Sequence, residues 1–342
     1  MSRATDDSEI GSPARSAPLI VTTFSFDDAD LDRLRAAIGI DHLIVASSQD
    51  ELVAALREHP RVEVVCSLRL PPDLAAIAPS VRWIQLPSAG ADTAIRGGLV
   101  SRDSPIVVTT ASGIHAVPIA EYALSSMLMF LRGWRDLESL RRDHDWPDHA
   151  RWQALQSGEL YGATLGIVGL GNIGRRVAQL GRAFGMHVLG LRRTALGGAD
   201  PDVDALYPPD ALTSLLATSD YVVITVPRTS ATHHLIGEAE LHGMRQHAYI
   251  VNVARGDVID ESALIRALSE GWIAGAGLDV TEHEPLDPAS PLWTMPNVYI
   301  SPHISGNTSR YGERLMDVFL DNLARYRSGQ PLRNVVDPVR GY

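Results

Sequence analysis

Residues 165–194 read LGIVGLGNIGRRVAQLGRAFGMHVLGLRRT. A short apolar run enters Gly169-Leu-Gly171-Asn172-Ile173-Gly174, a helical pattern follows, and a second apolar run, HVLGL, ends in Arg192, Arg193 and Thr194. The three glycines have separate tasks: a tight turn, close approach of backbone to a pyrophosphate, and close packing of helix on strand. A helix that starts at Asn172 and Ile173 offers N–H groups and partial positive charge to a diphosphate. A glycine-rich turn alone is weak evidence. Strand before, helix after and a second strand at the right distance predict a dinucleotide site.

In such sites the end of the second strand usually carries an acid that accepts hydrogen bonds from the ribose hydroxyls of NAD. Here Arg192 stands eighteen residues after Gly174. A guanidinium cannot accept those bonds but forms charge-assisted pairs with a 2′-phosphate, and Arg193 and Thr194 supply further donors. The expectation is NADP(H) in preference to NAD(H). The other reading is a pair of solvated arginines at a strand end.

The 342 residues suit two domains. A net charge of −11 argues against a nucleic-acid-binding surface. One cysteine, Cys66, excludes an internal disulfide framework, fits a reducing compartment and, inside VEVVCSL, reads as a buried inert thiol. Residues 1–17 lack apolar periodicity and the apolar core of a signal peptide, and read as a flexible tail. With no run of eighteen apolar residues, the expected location is the cytoplasm, away from membranes.

Residues 18–117 alternate apolar runs (LIVTTF, HLIVAS, VEVVCSL, VRWIQLP, IVVTTA) with helical patterns and contain no phosphate loop. Together with residues 307–342 they are expected to form a substrate-binding α/β domain. Residues 118–306 are expected to form the nucleotide domain, with strands LGIVG, HVLGL, YVVITVP, YIVNVA, AGAGLDV and VYISP. The fold class is α/β: two doubly wound parallel sheets, a Rossmann nucleotide domain and a flavodoxin-like partner. A long helical stretch from residue 117, apolar nearly all round in its first half, implies burial between domains or against another subunit.

Ligands of a doubly wound sheet sit outside the carboxyl ends of its strands. Arg255 follows YIVNVA, Glu284 lies in the loop after AGAGLDV, and His303 follows VYISP. These types suit hydride exchange with a 2-oxo acid. Arg clamps a carboxylate and carbonyl while staying charged, His donates a proton near neutrality, and a carboxylate orients the imidazole. Singly, Arg255 reads equally well as a turn partner of Asp257, Glu284 as a solvated acid and His303 as a surface residue. Their common sheet edge favours the joint functional reading.

The segments GLGNIG, VPRTSATHHLIG, YIVNVARGDVIDESAL, AGAGLDVTEHEPL and SPHISGNT, in that order, closely resemble the D-isomer-specific 2-hydroxyacid dehydrogenase family. The resemblance implies that Arg255 binds substrate, that Glu284 pairs with the acid/base His303, and that Asp279 holds the nicotinamide carboxamide. It further implies that Pro227, Thr232, Val253 and Gly306 line the cofactor, that Ser88, Ala89 and Gly90 hold the substrate carboxylate, and that Arg255 and His303 also contact the substrate. A homodimer through residues 118–160 is implied, although Trp146 and Trp152 are equally readable as intrachain core. Glu284 departs from the Gln of formate dehydrogenases, and no Lys stands in the loop at Ser88, as it does in phosphite dehydrogenases. The strand-end arginines resemble NADPH-using glyoxylate and hydroxypyruvate reductases. The competing readings are NAD-dependent oxidation of a D-2-hydroxy acid, and a dinucleotide-sensing, corepressor-like protein.

Overall fold

The computed structural model describes residues 16–91, 94–95, 97–101, 104–193 and 200–338. Nearly all of the expected tail, residues 1–15, and Thr194 lie outside the described residues. The chain divides into two compact units, Met1–Ile114 with Ser309–Tyr342, and His115–Thr308.

The first unit is built on a parallel sheet of β1 (Leu19–Thr22), β2 (Leu43–Val45), β3 (Val62–Cys66), β4 (Trp83–Gln85) and β5 (Val107–Thr109). The strand order β2-β1-β3-β4-β5 is that of a flavodoxin-like sheet. Its central strands β1, β3 and β4 are mostly apolar and buried because helices cover both faces. Ile20, Val64 and Trp83 pack with Leu315, Phe319 and Leu323 of the helix Tyr311–Ser328, while Val21, Val65 and Ile84 pack with Leu52 and Leu56 of the helix Gln49–Glu58. Asp27 and Ser48 cap their helices by accepting N–H bonds from Asp30 and Glu51, contacts usually worth about 1 kcal/mol each.

The second unit carries β6 (Thr164–Val168), β7 (His187–Leu191), β8 (Ala205–Tyr207), β9 (Tyr221–Ile224), β10 (Tyr249–Asn252), β11 (Gly275–Leu278) and β12 (Val298–Ile300). The order β12-β11-β10-β9-β6-β7-β8, parallel throughout, reverses direction at β6/β9, where a doubly wound sheet opens its ligand crevice. Period-two alternation divides the core. Val222, Ile224 and Ile250 face the helices Leu212–Thr218 and Glu261–Glu270, and Val223, Val251 and Ile167 face Ala116–Leu131 and Asn172–Ala183.

The pattern from residue 117, expected as one long helical stretch, forms two helices, Ala116–Leu131 and Trp134–Arg142. The break is at Gly133, whose φ of 59° is left-handed. Ile119, Ala120, Ala123 and Met127 of the first helix are buried in the core of its own unit. The intrachain-core reading of Trp146 and Trp152 is not met. Both are exposed, Trp146 at 95%.

Candidate functional site

The loop after β6 distributes its glycines by function. Gly169 turns at φ 107°, and a Cβ there would stand 2.9 Å from the backbone N of Val226, so only glycine fits the turn beside β9. A Cβ on Gly174 would stand 2.1 Å from the Gly169 carbonyl, so helix and turn touch backbone to backbone. A Cβ on Gly171 would meet no heavy atom within 4 Å; it borders open space where backbone can approach a pyrophosphate. The helix Asn172–Ala183 starts without a side-chain cap, so its positive N-terminal end suits a diphosphate. These features fit a dinucleotide.

At the end of β7, Arg192 is far from a solvated charge. Its side chain is 15% exposed, and Nη1 donates to Asp200 Oδ2 at 3.1 Å. Arg175, next after Gly174, grips the same carboxylate bidentately at 2.8 and 3.0 Å and reaches Asp202 at 2.9 Å. The Arg175 guanidinium is the main reason the Asp200 carboxyl is held below the usual range. On the neighbouring loop, Thr232 Oγ1 donates to the Pro227 carbonyl at 2.7 Å and accepts the Thr229 N–H at 2.8 Å, folding that turn on itself. Val253 is buried just beyond β10.

The three candidate catalytic residues follow three adjacent strands, β10, β11 and β12. Nδ1 of His303 donates to Glu284 Oε2 at 2.8 Å, and both side chains remain open to solvent. Arg255 donates from Nη1 to the Ala254 carbonyl at 2.7 Å. Asp257, its alternative turn partner, pairs with Arg228 at 2.8 Å. Gly256 fastens this turn to the loop bearing Glu284: a Cβ there would lie 1.9 Å from the carbonyl carbon and oxygen of Thr281.

His303 adopts a φ of 55°, which a non-glycine residue holds only when its surroundings impose it. Asp279 imposes it. Its carbonyl accepts the His303 N–H at 2.8 Å, and its carboxylate accepts the N–H groups of Ile304 and Ser305 and the hydroxyls of Ser301 and Ser305. Asp279 is 3% exposed, so its carboxylate anchors the His303 loop. Ser301 also bonds Tyr122 at 2.8 Å. These serines carried no signal in the sequence beyond their nearness to His303. Gly306 lies under His115, whose Cδ2 would be 2.8 Å from a Cβ there.

Ser88, Ala89 and Gly90 belong to the first unit, where Ser88 Oγ donates to the Gly90 carbonyl at 2.7 Å and the Ser88 carbonyl accepts the Ala111 N–H. Among the described residues no group of three His, Cys, Asp or Glu side chains could hold a metal ion, and no helix is long and apolar enough to cross a membrane.

The geometry defines a dinucleotide-dependent oxidoreductase, and comparison with known proteins agrees. Residues 124–305, just over half the chain, match the model of the D-isomer specific 2-hydroxyacid dehydrogenase NAD binding domain. A glyoxylate reductase of Thermococcus gammatolerans is 35% identical over 290 residues, covering 82% of this chain and 84% of its own. A D-isomer specific 2-hydroxyacid dehydrogenase from Xanthobacter autotrophicus, solved with NADPH and MES, superposes with a TM-score of 0.78 at 29% identity, covering 96% of this chain and all of its own. An NADPH-dependent glyoxylate/hydroxypyruvate reductase from Sinorhizobium meliloti, solved with NADP and sulfate, gives 0.76 at 26% identity, with 94% and 99% covered. The chain belongs to the D-isomer specific 2-hydroxyacid dehydrogenase family. It is an NAD(P)-dependent dehydrogenase.

Proposed function

We propose that the protein reduces a small 2-oxo acid of the glyoxylate or hydroxypyruvate class to the D-2-hydroxy acid, using NADPH in preference to NADH. The observation that carries this reading is the bond between His303 Nδ1 and Glu284, which points the other ring nitrogen away from the carboxylate as a proton donor. The reduced nicotinamide, when bound, supplies hydride to the carbonyl carbon. His303 gives its Nε2 proton to the carbonyl oxygen, and Glu284 stabilises the imidazolium before transfer. Arg255 holds the carboxylate and polarises the carbonyl, a role that needs a cation unaffected by pH. To Ser88, Ala89 and Gly90 we assign backbone N–H groups for the substrate carboxylate.

The names of the T. gammatolerans and S. meliloti relatives support the substrate class, and the two NADP-type complexes support the cofactor preference. Arg192 and Arg193 supply the guanidinium groups that a 2′-phosphate needs. A homodimer through the arm bearing Trp134, Trp146 and Trp152 accounts for three exposed indoles in one segment. The deciding experiment follows absorbance at 340 nm across a panel of 2-oxo acids with NADPH and with NADH. Turnover of glyoxylate or hydroxypyruvate with NADPH favoured supports the reading, and a panel without turnover rejects it.

A further inference from the structure

The strand-end arginine that decides the cofactor reading is held by a residue eight positions further on. Each oxygen of Asp200 has two donors: Oδ1 takes Arg175 Nη1 at 3.0 Å and the Asp202 N–H at 3.2 Å, and Oδ2 takes Arg175 Nη2 at 2.8 Å and Arg192 Nη1 at 3.1 Å. The Asp200 side chain is 3% exposed. A carboxylate so enclosed and so fully engaged is not available to ribose hydroxyls. It acts on the cofactor only through what it holds.

The charge in this group is unevenly shared. Arg175 faces two carboxylates, Asp200 and Asp202, and Asp202 also accepts from Gln179 at 3.3 Å. Among the described residues Arg192 has only its share of Asp200, and its buried Nε has no acceptor. The less fully compensated cation of the pair is therefore Arg192. An arginine tethered through one Nη1 has lost much of its rotamer freedom before a ligand arrives.

We infer that Asp200 is a positioning residue for cofactor choice: by clamping Arg192 across the end of β7 it presents a fixed guanidinium to the 2′-phosphate of NADPH. The inference rests on the NADPH reading given above. It requires that loss of the clamp weakens the 2′-phosphate contact although it removes a nearby negative charge.

The test is calorimetric binding of adenosine 2′,5′-bisphosphate and of 5′-AMP to the full chain and its variants. Wild-type protein is expected to bind the bisphosphate more tightly than AMP. Asp200→Asn is expected to weaken bisphosphate binding about tenfold and leave AMP within twofold. Asp202→Asn, which relieves Arg175 without touching Arg192, should change neither. If Asp200→Asn does not fold, Asp200→Glu keeps the charge, shifts the carboxylate by one methylene and is expected to lose several-fold on the bisphosphate alone. Equal or tighter bisphosphate binding by the Asp200 variant overturns the inference, as does an equal loss in Asp202→Asn. Wild-type protein that does not distinguish the two ligands overturns the NADPH reading and this inference with it, whereas discrimination that survives the Asp200 change overturns this inference alone.

Discussion

Glu284 and His303, nineteen residues apart and on loops after neighbouring strands, meet at 2.8 Å between Oε2 and Nδ1. The bond fixes which ring nitrogen faces the carboxylate and which is left for the substrate. His303→Ala is expected to lower kcat by about 10²–10⁴-fold, the usual range for a general acid. Glu284→Gln removes a charge-assisted bond of about 1.5–3 kcal/mol and is expected to cost about 10- to 10²-fold. Neither should change dinucleotide binding by more than about twofold, which fluorescence titration checks. Wild-type turnover by His303→Ala would sink the assignment.

Arg192→Asp places an acceptor where the chain now has a donor. The ratio of kcat/KM for NADPH over that for NADH should fall by at least about tenfold, with most of the change in the KM for NADPH. Steady-state kinetics with both cofactors reads this directly. An unchanged ratio would leave Arg192 a structural partner of Asp200 and nothing more.

Gly256 joins the turn carrying Arg255 to the loop carrying Glu284 with no room for a methyl group, the nearest carbonyl being 1.9 Å from a built Cβ. Gly256→Ala must therefore part the two loops. Overpacking of this kind costs about 1–3 kcal/mol. A lower melting temperature together with a fall in kcat is expected, and a variant that matches wild type in both would contradict the packing.

Much of this was legible in the sequence because of how parallel sheets are built. Strands such as YVVI and YIVN are buried on both faces, so their apolar runs are easily seen. The strand-end rule then brings Arg255, Glu284 and His303 to one sheet edge. β8 escaped notice because three half-buried residues, ALY, make no periodic signal. The environment of Arg192 was equally hidden: nothing local links Asp200 to Arg175, twenty-five positions earlier and paired only when β7 folds beside the helix. Asp279 was read from resemblance as a cofactor residue, and the donors that make it an anchor for His303 come from a loop whose conformation composition does not reveal.

Cys66 ends β3 fully buried, and burial pushes its thiol up to about 12. At pH 8 it is therefore almost wholly protonated and shielded. Native protein is expected to show no reaction with a disulfide reagent over the time in which urea-unfolded protein reacts stoichiometrically. Rapid labelling of the native state would contradict the packing around β3.

At the amino edge of the second sheet, Asp220 ties three strands together. It accepts the Thr164 N–H at 2.8 Å, His247 at 2.8 Å and the Arg245 guanidinium. Burial alone would raise its carboxyl, but these donors outweigh burial and hold it below the usual range. Because the folded value lies below the unfolded value of about 3.9, the stabilisation is complete well above that pH. It disappears as pH falls through the folded value. Asp220→Asn is expected to lose about 1–3 kcal/mol at pH 7, seen as a lower urea midpoint, and the gap from wild type should begin to narrow as pH falls below the unfolded value toward the lower folded one, since a protonated carboxyl resembles the amide. A gap that stays constant from pH 7 to pH 3 would show that the charge on Asp220 contributes nothing to the staple.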